Sequence, residues 1–260
     1  MILLCADYWT DFKNIGFNIL GGVAVIGLER LIFFLRRKYK FYKLKRLFGQ
    51  DIIKDYKLTY GQFVLSELYD SKGNKQHYPF RKVETNTFHS IIDPVSFSDT
   101  KAAKYIASLI AKETGNYAEL ISDREIGNNI DISFCATGGY SNLKSLEVIK
   151  SEKNKFFHFY LPQNGTVGII DLESGEKTIN TNPEYDLGLI IKINNKFFPN
   201  RTQICLAGLN IWSTSGTAWY LANRWDKIYK LVKNKEFGII IKVKKGNDQE
   251  SELIKIKVNK

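Results

Sequence analysis

Two short stretches concentrate the residue types that handle small polar ligands. The first is Ala136-Thr137-Gly138-Gly139-Tyr140-Ser141-Asn142. The second runs from Ala207-Gly208-Leu209-Asn210 through Trp212 to Ser213-Thr214-Ser215-Gly216-Thr217. Each follows a short apolar run (131–135 and 202–206) and precedes a helical pattern. Glycine lets a backbone approach a ligand closely or take a positive φ, and Ser, Thr and Asn side chains add donors and acceptors. A helix starting at such a loop points its first N–H groups at the ligand, which suits a phosphate, a ribose or a carboxylate. Neither stretch reads G-x-G-x-x-G or G-x-x-x-x-G-K-[ST], so neither a standard dinucleotide site nor a P-loop is expected. The same residues would also serve a purely structural strand-to-helix turn with Ser or Thr as cap.

Acidic residues near element ends are Asp93, Asp99, Asp123, Glu125 and Asp186. Asp99 reads as a helix cap and Asp186 as a strand-edge residue; if the chain is an enzyme, Asp186 or Glu125 is the best available base or nucleophile. Cys135 would need a neighbouring base to act as a nucleophile. Together with Cys5 and Cys205 it reads as a reduced thiol without metal-ligand spacing. His77, His89 and His158 are scattered, so no metal site and no cofactor are expected. Trp212 lies within the second stretch, where it can stack on a base, and Trp219, Tyr220 and Trp225 follow it.

Strands alternating with helices predict an α/β domain over residues 50–260, with a Rossmann-like sheet, parallel at its centre and carrying antiparallel edge additions. YGQFVLSELY reads as a strand, 71–75 as a turn, HYPFRKV as a second strand or a loop, Asp93-Pro94 as the opening of a loop, and TGNYAELISD as leading into a short strand. A helix capped near Ser98-Asp99-Thr100 should run to Thr114 and stop at Gly115. A further helix should follow Asn142. FFHFYLP, TVGIIDLE and EKTIN read as brief strands joined at Asn164-Gly165 and Ser174-Gly175. DLGLIIKINN and TQICLAG are buried strands; LNIWSTSGT reads as a loop into the helix AWYLANRWDKIYKLVKN, and a hairpin closes the chain. In a doubly wound sheet the ligand crevice lies at the carboxyl ends of the parallel strands, which is where both glycine stretches fall.

Ahead of this domain, Ile15–Leu35 at a helical rise spans roughly 31 Å, about the thickness of a bilayer core. Glu29 and Arg30 interrupt the run near its basic end. Eight basic residues and no acidic one lie between Arg30 and Arg46, whereas Asp7, Asp11 and Lys13 precede the run. The expected arrangement is an extracytoplasmic segment 1–14, a transmembrane helix 15–35, a basic juxtamembrane helix 36–49 and a cytoplasmic domain. That makes the chain a single-pass inner-membrane protein meeting anionic lipid; an amphipathic helix on the membrane surface is the alternative. Of the net charge of +11, residues 51–260 carry only +5, so direct nucleic-acid binding is not expected. No strict G-x-x-x-G occurs, which leaves self-association through the helix open.

The pattern Leu206-Ala207-Gly208 with Ser215-Gly216-Thr217, and Thr137-Gly138-Gly139 upstream, resembles Rossmann-like nucleotide-binding domains of the lysine-decarboxylase-like/DprA and nucleoside deoxyribosyltransferase group. The resemblance covers about residues 90–245. Members handle nucleotides or nucleosides, and relatives act as ligand-sensing modules in bacterial antiphage systems, some fused to transmembrane helices. The resemblance implies a nucleotide-like ligand and a signalling, antiviral role. The group's glycine loop is usually followed by a catalytic Glu, where this chain has Ala218-Trp219-Tyr220. The first expectation is therefore a membrane-anchored sensor or effector. A membrane-anchored nucleoside or nucleotide hydrolase or transferase is the second, and a protein-binding scaffold the third.

Overall fold

The structure, a computed structural model, describes residues 3–62, 95–162 and 166–259 and four dipeptide strands between them. For residues 3–25 and those dipeptides it describes the backbone alone. Most of the expectations over 63–94, including Asp93-Pro94, and the Asn164-Gly165 turn lie outside the described residues.

Two compact units result, Met1–Tyr42 and Lys43–Lys260. Helix α1 (Leu3–Phe48) is a single 46-residue helix instead of separate segments, with no proline to break it. In the first unit Ile26, Leu28, Leu31, Ile32, Phe33, Phe34 and Leu35 are each 40% or more exposed. At 100° per residue they surround the axis without forming a stripe. Among the described residues no helix is long and apolar enough to cross a membrane. Glu29 and Arg30 cut the apolar run there, and the side chains of 15–25, the first part of the expected span, are outside the description.

The second unit opens with the last turn of α1, whose Leu44, Leu47 and Phe48 are fully buried. Gly49, at φ 112°, ends the helix in a conformation that favours glycine. Strand β1 (Lys57–Tyr60) follows, then the dipeptide strands β2 (Leu68–Tyr69), β3 (Lys75–Gln76), β4 (Arg81–Lys82) and β5 (Phe88–His89), which pair β2–β3 and β4–β5. Next come α2 (Phe97–Thr114), β6 (Glu119–Ser122), β7 (Phe134–Thr137), α3 (Leu143–Ile149), β8 (Phe157–Tyr160), β9 (Gly168–Asp171) and β10 (Lys177–Asn180). The chain closes with β11 (Tyr185–Asn194), β12 (Thr202–Gly208), α4 (Ile211–Val232), β13 (Phe237–Lys244) and β14 (Asn247–Val258).

The fold is α/β: a seven-stranded mixed sheet in the order β14-β13-β11-β12-β7-β1-β6. The block β12-β7-β1-β6 is parallel, and β11, β13 and β14 add antiparallel pairs. Residues of β11 alternate between two cores. Ile190 packs toward α2, α4 and the end of α1, while Leu187, Leu189, Ile191 and Ile193 face α3 and the β8–β9–β10 sheet. Both faces are thus covered, which is why this strand is a near-continuous apolar run.

Lys192 is the exception on that strand. It is 2% exposed, and its ammonium donates to the Arg46 carbonyl at 2.7 Å and the Asn234 carbonyl at 3.4 Å. Burial pulls its pKa from 10.5 down to about 8, with Glu236 opposing the shift. Below that value the fold carries the cost of a desolvated charge. Between pH 8 and 10.5 the folded state releases the proton that the unfolded chain still holds, so stability rises with pH. Relative to Lys192→Met, the wild type should gain about 1.4 kcal/mol per pH unit, or about 3 kcal/mol across the window. Urea unfolding of both proteins from about pH 7 to about pH 10 reads this difference; parallel pH profiles would refute it.

Candidate ligand crevice at the carboxyl ends of the parallel strands

From β1 the chain passes through α2 to β6 on one side, then returns to place β7 on the other. The carboxyl ends of β1 and β7, where the strand order reverses, open the crevice in which α/β sheets hold ligands. Gly61 and Gly138 follow these two strands. A Cβ on Gly61 would lie 2.5 Å from the Ser141 carbonyl oxygen, and one on Gly138, at φ 109°, would overlap the Asp99 carboxylate. Both positions require glycine because the chain turns tightly around Asp99.

Asp99 is 2% exposed. The α2 N-cap is Ser96, earlier than the expected 98–100, so Asp99 falls in the first helical turn. Its carboxylate accepts from the Ser98 hydroxyl at 3.2 Å, from the Ser141 hydroxyl at 3.4 Å and from the Gly61 N–H. Burial pushes its pKa up, and the hydrogen bonds from Ser96, Ser98, Ser141 and Gly61 pull the other way. Asp123, equally buried, accepts from the Gln62 N–H at 3.1 Å and the Leu143 N–H at 2.7 Å, tying the end of β1 to the start of α3. Asn142 caps α3 and donates to the Thr59 and Thr137 carbonyls at 3.1 and 2.9 Å. The Thr137 hydroxyl donates to the Thr59 and Asp99 carbonyls. Thr137 and Asn142 therefore shape the crevice from within, while Tyr140 and Ser141 are exposed on its rim. The Tyr140 ring leans on His158 and Phe159, at centroid distances of 6.4 and 6.0 Å.

The two glycine stretches meet. A Cβ on Gly139 would lie 3.0 Å from the Gly208 carbonyl oxygen, and the Gly138 N–H donates to the Leu206 carbonyl at 3.0 Å. The expected loop over Ser213–Thr217 is instead the first part of α4. Asn210 is its N-cap, forming a capping box with Ser213. The hydroxyls of Thr214, Ser215 and Thr217 donate to the carbonyls of Asn210, Ile211 and Ser213. Gly216 presses on Val243, 2.5 Å from where a Cβ would stand. All five residues from Ser213 to Thr217 are buried, so the open part of the second stretch is Gly208 to Trp212.

Asp186, 3% exposed, accepts from the Asn210 side-chain amide and lies 3.6 Å from the Lys245 ammonium. Glu125 stands elsewhere: it follows β6, and its carboxylate accepts from the Ser122 N–H at 2.9 Å. Strands β12, β7 and β1 lie between, so Asp186 and Glu125 are roughly 19 Å apart and form no catalytic pair. Cys135 and Cys205 are buried and free, and burial holds the Cys205 thiol up at about 12. Among the described residues no group of three or more His, Cys, Asp or Glu is placed to hold a metal ion.

No family model, curated protein or solved structure matches the chain.

Around the glycine turns the exposed polar groups are those of Tyr140, Ser141 and Asn210. Asp99, Asp123 and Asp186 are buried beneath the surface of the crevice, and the N-termini of α3 and α4 are already capped by Asn142 and Asn210. Gly61 and Lys245 were not legible as site residues. The signal for Gly61, a glycine directly after a strand, resembles many ordinary turns.

Proposed function

We propose that the protein is a membrane-anchored, Rossmann-like sensor or effector that takes up a nucleotide or nucleotide-derived ligand and relays its presence to α1, as in bacterial antiviral signalling. The observation that carries this reading is the contact of the two glycine turns, Gly139 against Gly208, beside the reversal of strand order at β1 and β7. The sugar of such a ligand meets the exposed rim at Tyr140 and Ser141, whose hydroxyls exchange hydrogen bonds with its own. Support for the anchor comes from the collar of exposed apolar side chains, Ile26 to Leu35, followed by Arg36, Arg37, Lys38 and Lys40. Support for the relay comes from the end of α1 being buried in the same core as α2 and α4.

A thermal-unfolding screen of the full chain in detergent against nucleotides, cyclic oligonucleotides, NAD and ADP-ribose tests the pocket. A ligand of the crevice at a hundred times its Kd should add about 2.7 kcal/mol, and Ser141→Trp, a substitution on the exposed rim, should remove the gain of at least one compound in the screen; gains that all survive Ser141→Trp would place no ligand between the glycine turns. Silence across the screen would transfer the weight to a protein-binding scaffold. The anchor is read in isolated membranes before detergent is added: the chain should stay with them through an alkaline wash, and release by the wash would refute it.

A further inference from the structure

Cationic side chains gather beyond β11, away from the glycine turns. A groove of about 840 Å³ runs between α4, the start of β11 and the β13–β14 hairpin. That volume lies within the range of small-molecule sites. Arg224, Lys242, Lys244 and Lys245 line it, with Glu184, Glu250 and Glu252 as the opposing carboxylates. Lys244 holds Glu250 at 2.7 Å, and Lys242 stands 3.9 Å from Glu252, at the limit of an ion pair. Lys245 lies 3.6 Å from Asp186 at the crevice end. Among the described residues Arg224 has no carboxylate in ion-pair range.

Two further features point to an aromatic ligand. Tyr185 and Trp219 form part of the wall, and the Lys242 ammonium sits 4.6 Å above the Tyr185 ring. The Ser251 hydroxyl, also in the wall, is buried without a hydrogen-bond partner among the described residues. A buried hydroxyl left unmatched costs free energy that a bound acceptor would restore. Guanidinium and ammonium groups recognise phosphate oxygens, and indole and phenol rings offer faces for stacking.

We propose that this groove is a second ligand site, for a compound that joins an aromatic ring to two or more phosphates. Its phosphates meet Arg224, Lys242 and Lys244, its ring lies against Trp219, and Ser251 donates to an oxygen of the ligand. β11 separates this site from the crevice between the glycine turns.

The test is isothermal titration of the full chain with ATP, and in parallel with adenosine and inorganic tripolyphosphate. ATP should bind saturably and more weakly as salt is raised, with each half-molecule at least about tenfold weaker. Arg224→Glu and Trp219→Leu, on exposed and half-buried positions, should each weaken ATP by about tenfold or more while the unfolding temperature stays near wild type. Ser141→Trp should leave ATP binding intact, which separates this site from the crevice. Absence of ATP binding, binding that survives both groove variants, or binding removed by Ser141→Trp would each overturn the proposal. Tripolyphosphate as tight as ATP would overturn the aromatic half of the ligand.

Discussion

A chain cut to begin at Gln50 should lose about 6 kcal/mol relative to one beginning at Lys43. The difference is three fully buried side chains, Leu44, Leu47 and Phe48, each contributing about 2 kcal/mol by burial. Domains of this size are stable by about 5–15 kcal/mol in total, so the shorter chain should be partly or wholly unfolded at room temperature. The Lys43–Asp226 ion pair at 2.8 Å and the Arg46 carbonyl that receives Lys192 would be lost as well. Removing that carbonyl leaves one fewer acceptor for a buried ammonium. Urea denaturation of the two chains should give widely separated midpoints, and coincident midpoints would show that the end of α1 is dispensable.

Replacing Gly208 by Ala should cost about 3 kcal/mol and lower the unfolding temperature by about 6–12 °C. The added Cβ would overlap the Thr214 backbone nitrogen and lie 2.5 Å from the Ser213 carbonyl carbon. Neither is the tip of a flexible side chain, so α4 itself must shift from β12. Gly188 faces the same helix and cannot yield, because a Cβ there would overlap the Thr217 hydroxyl. Gly175 is the control. It sits at φ 73° with open space around it, so alanine there should cost only about 1 kcal/mol of backbone strain. Equal losses at Gly208 and Gly175 would remove close helix–strand packing as the reason for Gly208.

Much of the fold could be read from local pattern. β11 and β12 announce themselves by apolar runs of strand length, Gly115 stops α2, and the alternation of Ile and Lys in β13 and β14 gives the closing hairpin. Strand order could not be read, because placing β7 between β1 and β12 depends on pairings far apart in sequence. The start of α4 was misread for a physical reason. Ser, Thr and Gly are poor helix formers in isolation, yet here the hydroxyls bond back to the helix and the glycine allows close packing. The globular unit begins at Lys43, inside α1, where a boundary at residue 50 was expected. The spacing of Leu44, Leu47 and Phe48 by three and four residues carried that information, but the basic residues among them suggested a membrane surface. At the site, the glycine turns were legible and their meeting was not. Asp99 read only as a cap, because nothing local says that Gly61, Gly138 and Ser141 close around its carboxylate.

The two ends of the seven-stranded sheet bear on how copies of this chain can meet. β14 is twelve residues long and, among the described residues, pairs with β13 alone, which would ordinarily invite another strand to add. Its register shifts twice against β13, and Glu250, Glu252, Lys255 and Lys257 stud it with charge of both signs. Lys255 and Lys257 are further drawn down to Asp171 at 2.9 and 2.6 Å. Bends and inward-turned charges of this kind discourage edge-to-edge zipping. The other end, β6, offers a ladder of only four residues. Among the described residues, neither rim of the sheet therefore favours the addition of a strand from a second copy.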